Sequence, residues 1–257
     1  MSTVFAGVND VIDGALGVMS VGTTSPHYGH KGAALLLRSI PSTLDTSKLL
    51  MQIQSRIQAN LQKPNARWRT MGGSKDNWRW KKILEFTPRE QLDEVAVERL
   101  IVSQCGDCWA NQVPTASGFL DKWSDKRCSI DLVNNAGLNL FEFIELKKNK
   151  DTPLFAAFEI LKYALVFLIS RERCEEFKYS HERNPLIWAS AVNLIVLAPS
   201  DYYAPYALQW LEQELNSALG RLSTPELALQ FAFEMMPWPH DRDCQTALLS
   251  RRRVYPA

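Results

Sequence analysis

Two short apolar runs, Ile130-Asp131-Leu132-Val133 and Phe141-Glu142-Phe143-Ile144-Glu145-Leu146-Lys147, carry charges where a buried strand ordinarily has none. Asn134-Asn135-Ala136-Gly137 between them is a turn signal, so the pair reads as a β-hairpin. Side chains alternate along a strand, which puts Glu145 and Lys147 on one face. An antiparallel partner brings Asp131 beside them. Two carboxylates and an ammonium then meet in an apolar setting, where unpaired charge is costly, so the trio calls for a ligand or a function. Carboxylate oxygens suit Mg²⁺, with Mn²⁺ as a substitute; Mg²⁺ takes one or two protein carboxylates and keeps several waters. A lysine beside it orients or deprotonates a water, or steadies a charged transition state. A plainer reading makes Glu145, Lys147 and Lys148 the solvated end of a hairpin, with Asp131 capping a turn. The apolar neighbours of Asp131 and Glu145 speak against it.

The flanking sequence supplies an order of elements. Thr87-Pro88-Arg89-Glu90 opens a capped helix that continues through Leu92, Val95 to Val97, Leu100 and Ile101. Residues 109 to 114 read as a first strand, 153 to 173 as a long helix, and 192 to 197 as a fourth strand. Asp131 followed on the next strand by Glu145-x-Lys147, in this setting, resembles the PD-(D/E)xK nuclease superfamily over roughly residues 83 to 200. The residue before Asp131 is isoleucine where the family pattern has proline.

The resemblance implies an α/β fold, a mixed central β-sheet flanked by helices, with a restriction-endonuclease-like α-β-β-β-α-β core. It implies a Mg²⁺-dependent nuclease that hydrolyses phosphodiester bonds, in DNA before RNA. Asp131 and Glu145 would bind the metal, the backbone carbonyl of Leu146 would complete the shell, and Glu98 would reach it from the first helix, with Glu94 as the alternative. Lys147 would activate or position the water. Lys162, on the helix after the third strand, would contact the scissile phosphate, or else pair with Glu159 one turn away. Two readings compete with this one. The chain is a catalytically inactive member of the fold that binds nucleic acid or assembles a complex, or it is an unrelated α/β domain.

Residues 63 to 82 hold seven basic residues against Asp76 alone, interleaved with three tryptophans. Lysine and arginine meet phosphates and indoles stack on exposed bases, which makes Arg67, Arg69, Trp78, Arg79 and Lys82 candidate nucleic-acid contacts. The same tryptophans would equally serve as core residues under arginine stems. Arg251-Arg252-Arg253 reads as a solvated basic tail. Cys105-x-x-Cys108 is a lone pair; a zinc site would need Cys128, His27 or His30 to complete it.

At 257 residues and 46% hydrophobic the chain can bury a large core. Its net charge of +1 gives no global pull towards nucleic acid. Five cysteines and no signal peptide point to a reducing cytoplasm. The apolar run 154 to 170 contains Glu159 and Lys162 and falls short of a membrane span. The resemblance makes DNA the expected partner, with RNA as the alternative; no membrane is expected and a homodimer is left open. The organisation reads as an N-terminal extension, 1–82, partly helical around residues 49 to 62, followed by the nuclease-like core with C-terminal helices, 83–257. Those helices are expected over 204 to 219, ended by Gly220, and from Thr224-Pro225 towards Met236.

Overall fold

The computed structural model describes residues 3–18, 29–85 and 92–256. Helices α1 (Val8–Leu16), α2 (Gly29–Ala33), α3 (Thr46–Leu61), α4 (Trp68–Met71) and α5 (Glu94–Gln104) precede strands β1 (Trp109–Pro114), β2 (Ser129–Gly137) and β3 (Leu140–Leu146). There follow α6 (Pro153–Glu172), β4 (Ala191–Ala198), α7 (Ser200–Tyr203), α8 (Gln209–Leu222), β5 (Ala228–Met235), α9 (Cys244–Leu249) and β6 (Arg252–Arg253). The strands form one mixed sheet in the order β1-β2-β3-β4-β5-β6. The pairs β1–β2, β2–β3 and β5–β6 are antiparallel, whereas β3, β4 and β5 run parallel. Parallel neighbours need crossover connections, and α6 and α8 supply them.

Alternation along the strands divides the core into two layers. Phe141, Phe143, Val192, Leu194 and Val196 pack towards α6, while Ile144, Leu146, Ile195 and Leu197 pack with α5 and α9 on the other face. Helix α6 starts cleanly: the Thr152 hydroxyl accepts from Phe155 N–H at 3.3 Å, and Pro153 takes the first turn. At 20 residues it is long and apolar enough to cross a membrane by length and composition, so the expectation that this run falls short is corrected. Most of it is buried between the sheet and α3, as core helices are. Helices α1, α2 and α3, from before residue 83, share the apolar cluster that α6 occupies.

Several expected elements shift. The hairpin turn falls at Leu138 and Asn139, both with positive φ, because β2 continues through Asn134 to Gly137. There Asn134 Nδ2 donates across to Glu142 at 2.9 Å, which keeps the ladder going. The opening expected at Thr87 lies outside the described residues; α5 begins at Glu94, where the Asp93 side chain accepts from Ala96 N–H. The helix expected over 204 to 219 starts five residues later, after Pro205, and runs through Gly220, a weak breaker on its own. The segment expected as a helix towards Met236 is strand β5. Leu229, Phe231 and Phe233 alternate with Ala228, Gln230 and Ala232, a period of two that places large rings on one side.

The arginine run is not a solvated tail. Arg251 Nη2 donates to Glu142 at 2.7 Å and Nε pairs with Glu234, tying β3 to β5, and Arg253 pairs with Glu212 on α8. The opposite edge of the sheet is covered too. Trp78 N–H donates to the Pro114 carbonyl, and Ile83 N–H to Asn111 Oδ1, so residues 78 to 83 run along β1 and mask its unpaired groups.

Candidate metal site

β2 and β3 pair with Leu132 opposite Ile144, and continuing that register by one step sets Asp131 opposite Glu145. Glu145 extends the row of Phe141 and Phe143 on the face covered by α6. Lys147 follows two residues on, at the end of β3, its backbone N–H donating to the Leu197 carbonyl at 2.9 Å. Asp131 is half-buried and its Oδ2 accepts from Leu146 N–H at 2.9 Å. Glu145 and Lys147 are buried. The Lys147 ammonium donates to Glu145 Oε1 at 2.7 Å and to Glu159 Oε2, from α6, at 3.2 Å. Glu159 thus goes to Lys147 rather than to Lys162, its neighbour one turn away on the same helix.

The acidic side chains of α5 reach the same end of the sheet. Glu94 Oε1 accepts from Lys148 N–H at 2.9 Å, and Glu98, buried, accepts from Gln112 Nε2 at 2.6 Å. Gln112 is the residue of β1 that faces Asp131 in register, and its φ of 48° is a left-handed conformation that a strand residue rarely adopts. Its Oε1 accepts from Ser129 Oγ at 3.2 Å, so its amide links β2 to α5.

Removal from water dominates the protonation of the group. Burial pushes Glu145 well above the ordinary carboxylate range, with the charges of Asp131 and Glu159 adding to it. Asp131 is raised by burial too, opposed by Lys147 and by the Leu146 N–H. Lys147 is also desolvated, which alone would release its proton, but Glu145, Glu159 and Asp131 outweigh that and hold it as an ammonium. Lys162 is lowered by burial, with Glu159 opposing, and its ammonium lies 5.7 Å above the Phe155 ring and 5.9 Å above that of Phe5.

Do these residues suit a divalent ion? Glu145 Oε2 is buried with no hydrogen-bond partner, a costly condition that a cation would relieve. The donors are hard oxygens, as Mg²⁺ and Mn²⁺ prefer. Among the described residues no three His, Cys, Asp or Glu side chains converge on one point, so the protein offers the Asp131–Glu145 pair with water to fill the shell. That is within the one or two carboxylates Mg²⁺ usually takes. Glu98, engaged with Gln112, stands behind the pair.

The remaining candidates are dispersed. Trp78 is fully buried, stacked on Phe143 and edge-on to Phe167; its indole is core and has no face to offer a base. Arg67 Nη1 donates to the Gly118 carbonyl at 3.2 Å, and Arg69 to the carbonyls of Gln62 and Lys63. Arg79 pairs with Asp76 and Lys82 with Asp107. Arg79 and Lys82 belong to the segment beside β1, whereas Arg67 and Arg69 are tied to the Gly118 loop and to the end of α3. The cysteines of the lone C-x-x-C are free, His30 Nδ1 is held by Asp13 at 2.5 Å, and His27 lies outside the described residues. Sequence reasoning missed Gln112 and gave Glu159 the wrong partner. A polar pair, Asn111-Gln112, inside an otherwise buried strand was the available signal for the first.

Comparison of the chain with protein-family models, curated proteins and solved structures gave no match, so the functional reading rests on its own residues.

Proposed function

We propose that this chain is a Mg²⁺- or Mn²⁺-dependent nuclease of the PD-(D/E)xK type, with a restriction-endonuclease-like core, hydrolysing phosphodiester bonds in DNA. The observation that carries it is Glu145 Oε2, buried without a partner beside Asp131. Asp131 and Glu145 would hold the ion, with the backbone carbonyl of Leu146 completing the shell and Glu98 supporting from behind. A bound Mg²⁺ would supply Lewis-acid polarisation of the phosphoryl oxygen and a more acidic water. Lys147, held as an ammonium between Glu145 and Glu159, has no free pair with which to act as a base. Its part is to donate a hydrogen bond, orienting the attacking water or meeting the negative charge that grows on the phosphate. Glu159 and Glu145 aim that ammonium.

Mn²⁺- or Mg²⁺-dependent cleavage of single-stranded and duplex DNA tests the proposal. Wild type should cleave and should gain thermal stability from the ion, since a ligand of the folded state alone raises Tm. Glu145→Gln should lose both effects, while its metal-free Tm holds or rises because a disfavoured carboxylate is gone. A metal-free loss of about 3 kcal/mol or more would mark Glu145 as half of a structural ion pair instead. A second reading, a silent member of the fold that binds nucleic acid, is favoured by the lysine already seated against Glu145. Nucleic-acid binding that survives Glu145→Gln, with no cleavage by wild type, would select it.

A further inference from the structure

The loop from Thr115 to Cys128, between β1 and β2, leads into the strand that carries Asp131. It is built tightly. Ser124 is buried, and its hydroxyl accepts from the N–H groups of Leu120 and Asp121, both at 3.2 Å. Gly118 N–H donates to the Ser124 carbonyl at 2.9 Å. Asp125 accepts from Thr3 Oγ1 and from Val4 N–H, and Thr115 N–H donates to the Cys128 carbonyl at 3.0 Å, closing the base of the loop. Yet this fixed frame leaves Trp123 57% exposed, with Asp121 Oδ1 accepting from its N–H at 2.7 Å. The Lys126 ammonium lies over the indole ring at 3.9 Å from its centroid and that of Lys122 at 5.0 Å, and both lysines and the adjacent Arg127 are exposed. Asp125 is turned to the N-terminal segment and Asp121 is half-buried against the loop's own backbone, so the exposed charged side chains of the loop are Lys122, Lys126 and Arg127.

We infer that Trp123, with Lys122, Lys126 and Arg127, is a stacking platform for unpaired bases of a single nucleic-acid strand, feeding that strand towards Asp131. The inference rests on the nuclease reading above and adds the form of the substrate. A broad aromatic face held out by a rigid loop forgoes burial, and it regains that area against another flat surface. Two lysines on exposed, flexible stems rest over the ring, where phosphates can draw them aside, and they select a partner that pairs flat surfaces with negative charge. A nucleotide strand does so at every residue, and stacking on an indole tolerates any base. In a duplex the base faces are hidden within the stack, so the platform discriminates by strandedness.

The test uses the full chain carrying Glu145→Gln, in EDTA, so that binding is read without cleavage, by anisotropy of a labelled 20-nucleotide single strand and of the matching duplex. Trp123→Ala should weaken single-strand binding by about tenfold or more and Trp123→Phe by much less, with duplex affinity little changed. Removing Lys122, Lys126 and Arg127 together should lower the slope of log affinity against log salt by about 0.7 for each phosphate that these side chains neutralise. Equal losses on both substrates, or an affinity indifferent to Trp123, would overturn the inference. So would self-association that vanishes in Trp123→Ala while nucleic-acid affinity stays. Single-strand binding that depends on Trp123 in a protein that never cleaves would remove the nuclease reading alone. Cleavage by a chain whose affinity ignores Trp123 would remove this inference alone.

Discussion

At Glu98, burial and the neighbouring Asp131 both favour the protonated acid and push its pKa up to about 9. The folded chain therefore keeps a proton there that the unfolded chain gives up near pH 4.5. Its contribution is complete below that pH and is lost as pH climbs towards 9. Glu98→Gln preserves an acceptor for Gln112 and cannot ionise, so its stability in urea melts should fall less steeply between pH 5 and 9. It should exceed wild type at pH 8 by about 1 kcal/mol or more, since each unit of pKa shift corresponds to about 1.4 kcal/mol. An unchanged pH slope would mean that Glu98 is ionised in the fold. Asp131, Glu145 and Lys147 were legible in the sequence because charge inside an isoleucine- and phenylalanine-rich strand is an anomaly visible in the residues themselves. The left-handed turn of Gln112 was not. It is a property of the backbone, set by tertiary packing and carried by no residue type.

Elements whose boundaries depend on local chemistry were legible to within a residue or two. β1 and α6 fall where the sequence puts them, the second because Thr152-Pro153 is an unambiguous start. β5 was misread because Thr224-Pro225 imitates a helix opening, although the period-two alternation from Leu227 to Met235 contradicted it. Composition likewise cannot say which way an indole faces, and the basic-aromatic strip beside β1 hid a core residue. Trp78→Ala should cost about 3 to 5 kcal/mol in chemical denaturation, through the cavity left between Phe143 and Phe167. A loss below about 1 kcal/mol would place that ring outside the core.

Across the whole molecule, α3 packs on both α6 and α8, so the segment before residue 83 covers apolar surface that the sheet layers leave open. A chain beginning at residue 83 should be poorly soluble or should lose its cooperative melt, whereas a soluble, cooperatively folding product would mark that segment as dispensable. The ion's effect should also depend on pH. Carboxylates raised by burial must lose protons to bind a cation, so the Tm gain from Mn²⁺ should be larger at pH 8 than at pH 6. Arg251 adds a constraint of time. It is translated 109 residues after Glu142, whose carboxylate it neutralises. Until residue 251 has been added, β3 therefore carries a charge that lacks this counterpart. A chain cut short before residue 251 should be open to protease in the segments around Glu142 and Glu234, and a chain extended past Arg251 should resist it there.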